Sequence, residues 1–181
     1  LTIKNYVLSG NSALAYQGAG LLVAGNNTTV VRLLNSTISY NMVDNADGSI
    51  GGGGIISEGY LEIEDCIIQN NMATGTNGGG IYLRGGTTYI RRTKIANNTS
   101  TKGGGIYLDD AGDWGPGFTP VRTTSLTIDS TLFSGNSSSS ASNGNDINAH
   151  QISHAITVSC NDVIFSSTAD QIETSGGASV S

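Results

Sequence analysis

Acid, imidazole and thiol groups are sparse in this 181-residue sequence, so the places where they gather stand out. The densest gathering is Asp109-Asp110-Ala111-Gly112-Asp113-Trp114, which runs on through Phe118 between two prolines. Asp109, Asp110 and Asp113 offer the hard oxygen ligands that suit Ca²⁺, and Trp114 and Phe118 offer faces for stacking on a sugar. A loop folded over an apolar surface, with Trp114 as its cover, accounts for the same residues without a ligand. His150 and His154 stand four apart, as in a zinc-binding helix. However, Gln151 sits where such a motif carries its Glu base, and no helical pattern surrounds it. The pair reads as surface histidines, with no metal. Cys66 and Cys160 are too few for a disulfide framework and read as small buried side chains. Asp65 lies one repeat before Arg91 and Arg92, which reads as a surface ion pair. No cofactor site is legible.

These groups must be positioned by elements, and the elements repeat. Asn77-Gly78-Gly79-Gly80-Ile81-Tyr82-Leu83 returns as Lys102-Gly103-Gly104-Gly105-Ile106-Tyr107-Leu108, and more loosely around Gly20 and Gly54. A glycine turn at Gly20, Gly54, Gly80 and Gly105 leads into a short strand of alternating apolar residues. A second phrase, Leu61-Glu62-Ile63-Glu64-Asp65-Cys66-Ile67-Ile68-Gln69-Asn70-Asn71, has counterparts starting at Leu1, Val31, Thr88, Leu126 and Val158. The steps between starts are 30, 30, 27, 38 and 32 residues, the longest containing the Asp109–Pro120 insertion.

Overlaid, the phrases form columns. The third position reads Ile3, Leu33, Ile63, Ile90, Ile128 and Cys160; the eighth reads Leu8, Ile38, Ile68, Ile95, Phe133 and Phe165. The eleventh reads Asn11, Asn41, Asn71, Asn98 and Asn136, then Thr168. Polar residues between the apolar ones mark period-two strands with one buried face. Similar phrases returning about every 30 residues stack like on like. The expectation is an all-β, single-chain parallel β-helix over residues 1–181, with about six coils and three short strands per coil. Parallel crossovers favour the right-handed form. Six rungs at about 4.8 Å give a rod of roughly 29 Å. The Asn column is expected to stack as an amide ladder at a tight turn, where Asn tolerates left-handed angles.

Leu1 opens directly on the Leu-x-Ile strand, and the C-terminal Ser175–Ser181 reads as a glycine strand with nothing after it. The expectation is an excerpt of a longer rod, or a subunit stacking end to end through Leu1, Ile3, Ala178 and Val180. Only 12% of residues are charged and the net charge is −6, with eight Lys and Arg in all. That argues against a nucleic-acid partner. No apolar run reaches the ~20 residues of a membrane helix.

The phrases resemble polymorphic outer-membrane protein repeats and other surface proteins of the pectin-lyase-like superfamily. Phe133-Ser134-Gly135-Asn136 is similar to that family's Phe-x-x-Asn motif, and Gly79-Gly80-Ile81 and Gly104-Gly105-Ile106 to its Gly-Gly-Ala-Ile motif. The resemblance implies an extracellular or cell-surface β-helical stalk or adhesin, non-catalytic, whose partners are further copies of itself or a host-surface protein or glycan. The same superfamily contains polysaccharide-degrading enzymes, so polysaccharide binding or cleavage is the alternative. Ice binding is a lower one, since no Thr-x-Thr phrase recurs at one position in each coil. Asn-x-Ser/Thr acceptor sequences occur at Asn26, Asn27, Asn35, Asn97, Asn98 and Asn136.

Overall fold

The computed structural model describes residues 1–14, 18–24, 30–44, 51–110, 123–139, 144–150, 155–166, 172–176 and 178–181. Every regular element among them is a strand, and every strand pairing is parallel. The chain is a parallel β-helix with four sheets running along it.

The first sheet stacks Thr2–Lys4, Val30–Leu34, Tyr60–Glu64, Gly86–Arg91, Thr124–Asp129, Ile156–Asn161 and Ser179–Val180. The second stacks Val7–Ser9, Thr37–Ser39, Ile67–Gln69, Lys94–Ala96, Leu132–Ser134 and Ile164–Phe165. The third holds Ser12–Leu14, Met42–Asp44, Met72–Thr74, Thr99–Ser100 and Ser137–Ser138. The fourth holds Leu21–Val23, Ile55–Ser57, Ile81–Arg84, Ile106–Asp109, Ile147–His150 and Ile172–Ser175. The three expected strands are the first, second and fourth of these. A further short strand follows each ladder Asn, too short and too polar to register as a strand in the sequence.

Register follows the columns: Ile3 pairs with Leu33, Leu33 with Ile63, Ile63 with Ile90, Ile90 with Ile128 and Ile128 with Cys160. A one-residue slip would turn this whole row outward, so burial holds the register. The inward rows make one continuous core in which Leu33, Ile38, Ile55, Ile68, Ile90, Ile95, Ile128 and Phe133 are fully buried. Phe133 stacks on Phe165 with ring centroids 5.2 Å apart.

Three corners turn through left-handed backbone, the third of them at Gly18, Gly52, Gly78, Gly103 and Gly144 ahead of the fourth-sheet strands. Asn5, Asn35, Asp65, Arg92, Ser130 and Asp162 have φ between 44° and 61° at the first, and Gly10, Tyr40, Asn70, Asn97 and Gly135 have φ between 54° and 71° at the second. The ladder Asn is not itself left-handed. The residue before it is, which corrects the expected role of that column. The C-terminal reading also changes. Ile172–Ser175 takes the glycine-strand place beside Ile147–His150, and Val180 pairs with Val158 in the Leu-x-Ile sheet. The chain there is one strand further round the coil than the Gly176-Gly177 phrase suggests.

Candidate functional site

Among the described residues, the polar side chains with chemical potential fall into four places: two ladders, the outer face of the fourth sheet, and the outer face of the first.

In the ladder, each Nδ2 donates to the Oδ1 of the Asn one coil on: Asn11 to Asn41 at 2.9 Å, and Asn41 to Asn71, Asn71 to Asn98 and Asn98 to Asn136 at 3.0 Å. The second amide proton of Asn41, Asn71, Asn98 and Asn136 goes to the carbonyl of Leu8, Ile38, Ile68 and Ile95 in the coil before. Each Oδ1 also accepts the backbone N–H of the preceding ladder Asn. The Asn-to-Asn bonds all run one way along the rod, so the last amide needs another acceptor. Asp146 supplies it, its Oδ1 2.8 Å from Asn136 Nδ2. Burial holds the Asp146 carboxyl above its ordinary range, and the Asn136 bond works against that shift.

The glycine column belongs to the same feature. A Cβ on Gly80 would lie 2.6 Å from the Gly105 carbonyl and 3.1 Å from Asn98 Nδ2, and Gly20, Gly54 and Gly105 are crowded in the same way. These four are glycines because the next coil and the Asn amide leave no room. The left-handed turn sits two residues earlier, at Gly78 (φ +69) and Gly103 (φ +59). The expected turn role of Gly80 and Gly105 is corrected accordingly.

A second ladder, one position past the first corner, went unseen in the sequence. Thr93 accepts the N–H of Cys66 at 3.3 Å, Thr131 accepts that of Thr93 at 3.4 Å, and Ser36 accepts that of Tyr6 at 3.1 Å. Each hydroxyl donates back to a carbonyl two residues earlier, and the Cys66 thiol does the same to Glu64 at 3.1 Å. Cys66 is therefore a polar member of a stacked row. Burial raises its pKa. Both cysteines are free, with Cys160 half-buried in the Ile128 column.

On the outer face of the fourth sheet, Arg84 pairs in register with Asp109, and Asp109 with His150. Beside them Tyr82 pairs with Tyr107, their rings 5.2 Å apart and edge-on. The Tyr82 hydroxyl donates to Asp109 Oδ2 at 3.0 Å, and the Tyr107 hydroxyl lies 3.3 Å from His150 Nδ1. Thr124 donates to the Asp109 carbonyl at 2.7 Å and accepts the Gly85 N–H at 2.9 Å. Burial holds the Asp109 carboxyl above the usual carboxylate range. The Tyr82 bond opposes this, Asp110 adds to it, and His150 and Arg84 draw the value back. Both phenols are held strongly above their ordinary value by burial, so they stay protonated and do not serve as bases.

Strict alternation points Tyr82 and Tyr107 away from the main core, yet both are 3% exposed and form a second small cluster with Ile56. The signal available in the sequence was the Ile-Tyr-Leu phrase recurring at one position. Asp110 is fully buried. Asp113, Trp114, Phe118, Gln151 and His154 lie outside the described residues, as do Asn26, Asn27 and Thr168. Among the described residues no group of three or more His, Cys, Asp or Glu is arranged to share a metal ion.

The outer face of the first sheet carries ion pairs between coils. Arg32 Nε lies 2.6 Å from Glu62, Arg91 3.4 Å from Glu64, and Arg92 reaches both Glu64 and Asp65, the latter at 2.8 Å. The Arg92 bond holds the Asp65 carboxyl below its ordinary range. Tyr60 and Tyr89 lie among these charges with centroids 5.7 Å apart. An open groove at the first corner is lined by Asp65, Cys66, Ile67, Arg92, Thr93, Lys94, Ser130 and Leu132. Further along the same face Ser125 and Thr127 stand in register with Thr157 and Ser159.

At the two extremes of the stack, Leu1 is exposed and its ammonium donates to the Val30 carbonyl at 3.0 Å. Ile3 and Ala178 pack against the core, and Val180 remains 43% exposed. Asn35 and Asn97 are exposed at their corners, whereas Asn98 and Asn136 are buried in the ladder. Among the described residues no helix is long and apolar enough to cross a membrane. No protein-family model, curated protein or solved structure matches the chain.

Proposed function

We propose that this chain is a structural β-helix of the extracellular or cell-surface kind, a stalk or adhesin rod whose outer faces meet a partner. The supporting observation is where the polar side chains go. Asn11 to Asn136 and Ser36 to Thr131 are consumed in bonds from coil to coil, and the first-sheet charges pair between coils. Such an arrangement gives stiffness along one axis and long regular faces, as repeat architectures do. The phrases that resemble outer-membrane protein repeats favour the same reading, with partners that are further copies of the chain or a host-surface protein or glycan.

The alternative, polysaccharide cleavage, draws on Asp109, whose raised carboxyl beside Asp110 and His150 has the character of a general acid. One experiment separates the two. Cells producing the full-length protein are probed, intact and permeabilised, with an antibody to the folded chain, and the pure chain is incubated with pectin, polygalacturonate and xylan. Labelling of intact cells with no new reducing ends supports the rod. Release of reducing ends that Asp109→Asn with Asp110→Asn abolishes, in a still-folded chain, favours the enzyme. Labelling only after permeabilisation overturns the surface reading.

A further inference from the structure

The outer face of the first sheet brings tyrosines and ion pairs together on neighbouring rungs. Tyr60 stands in register with Thr87 and Glu62 with Tyr89, so the two rings lie diagonally across neighbouring rungs. Their planes are 35° apart, and Tyr89 is 37% exposed. Arg32 and Glu62 share the column of Tyr89 along the axis, and Arg91 with Glu64 occupies the next column, on the side away from Tyr60. The side chains of Arg32, Arg91 and Arg92 are about half exposed, while Glu62 and Glu64 are more covered.

The charges on this patch balance. Arg32, Arg91 and Arg92 face Glu62, Glu64 and Asp65. The excess of acid that gives the chain its net −6 lies elsewhere. A balanced face gives no long-range attraction for a polyanion or a polycation. What it offers is short-range: two aromatic faces and a set of planar, forked hydrogen-bonding groups. A guanidinium has five N–H donors and a carboxylate about four acceptor sites, so each keeps capacity after pairing with its neighbour. Vicinal hydroxyls on a pyranose match that forked geometry, and the C–H face of the ring matches an exposed phenol ring. The rungs repeat at about 4.8 Å along the axis. A linear chain laid in that direction therefore meets Arg32, Glu62 and Tyr89 on successive rungs of the Val30–Leu34, Tyr60–Glu64 and Gly86–Arg91 strands, with Tyr60 in the neighbouring column on one side and Glu64 and Arg91 in the column on the other.

We propose that this face, centred on Tyr60 and Tyr89 and bordered by Arg32, Glu62, Glu64 and Arg91, binds an uncharged polysaccharide running along the solenoid. The inference rests on the surface-rod reading and names its contact surface. Cross-strand Tyr pairs and ion pairs also stabilise sheets, so binding and melting are read separately.

Calorimetric titration of the pure chain with cellohexaose, mannohexaose and xylohexaose, and with hexagalacturonate as the charged comparator, tests it. At least one uncharged hexasaccharide binds, with an affinity that salt leaves unchanged. Tyr89→Ala weakens that binding by about tenfold or more, whereas Tyr89→Phe, which keeps the ring, retains it. Should Tyr89→Ala melt early, Arg32→Ala at the exposed border carries the same expectation of weakened binding. No binding by any uncharged probe at millimolar concentration overturns the proposal. So does binding that survives Tyr60→Ala with Tyr89→Ala, or binding confined to hexagalacturonate. Any of these leaves the surface-rod reading standing, because cell-surface labelling decides that separately.

Discussion

Asn71→Ala removes the central rung of the ladder, and the structure says what the loss entails. The Asn71 amide donates to Asn98 Oδ1 and to the Ile38 carbonyl, and its oxygen accepts both the backbone N–H and the Nδ2 of Asn41, all at 3.0 Å. Alanine makes none of these bonds. The Asn41 N–H loses its partner outright, Asn41 Nδ2 keeps only the Leu8 carbonyl, and the Ile38 carbonyl loses its side-chain donor. Asn41 is 1% and Asn98 0% exposed, so water does not substitute without opening the coil. Leaving a buried donor unmet costs about 1–3 kcal/mol. Two compromised donors and the lost contacts sum to roughly 3–5 kcal/mol, a large part of the ~5–15 kcal/mol that holds a domain together.

Asn11 provides the control. It only donates to Asn41, from an exposed position, so Asn11→Ala costs about 1 kcal/mol or less. Urea unfolding followed by circular dichroism at fixed pH measures both, compared at equal m-value because repeat proteins lose cooperativity when one rung weakens. Asn71→Asp refines the test. Its ionised carboxylate faces two acceptors, so it is worse than alanine at neutral pH and improves on acidification, when a protonated oxygen donates again. Equal losses for Asn11→Ala and Asn71→Ala, within ~0.5 kcal/mol, would falsify the claim that the ladder carries stability.

Other outcomes follow from the same contacts. Gly80→Ala places a methyl 2.6 Å from the Gly105 carbonyl and against Asn98, so it costs about 1–3 kcal/mol. A double-mutant cycle with Asn98→Ala shows coupling of at least ~0.5 kcal/mol; additivity shows that the glycine and Asn columns are independent. Cys66→Ser puts a hydroxyl into the Ser36–Thr93–Thr131 row and changes stability by less than about 1 kcal/mol, whereas Cys66→Ala, lacking the donor to Glu64, costs more; thermal melts rank the two. The pH dependence has two opposed parts. Asp109 and Asp146 have raised folded pKa values, so the folded chain holds more protons and stability rises as pH falls from neutral toward about 4. Asp65 has a lowered one, so its contribution is present above about 4 and is lost below. Asp109→Asn is accordingly more stable than wild type at pH 7 with a flatter slope down to pH 4; superimposable melting curves across that range dispose of the assignment.

The sequence by itself determined the architecture, because the information is periodic and local. Ile63 repeats as Ile90 and Ile128, Asn71 as Asn98 and Asn136, and stacking similar rungs in register is the arrangement that buries one row and bonds the other. What it left open were features set by contacts between columns. The crowding of Gly80 depends on Asn98 and Gly105, which are 18 and 25 residues away in the chain. The membership of Cys66 in a hydroxyl row depends on Thr93 sitting beneath it. Burial of Tyr82 and Tyr107 reverses what alternation predicts for an outward position, and the burial of Asp109 on the same face draws its own carboxyl upward. A strand pattern says which way a side chain leaves the sheet; what it meets there, water or another part of the molecule, is decided only when the coils close on one another.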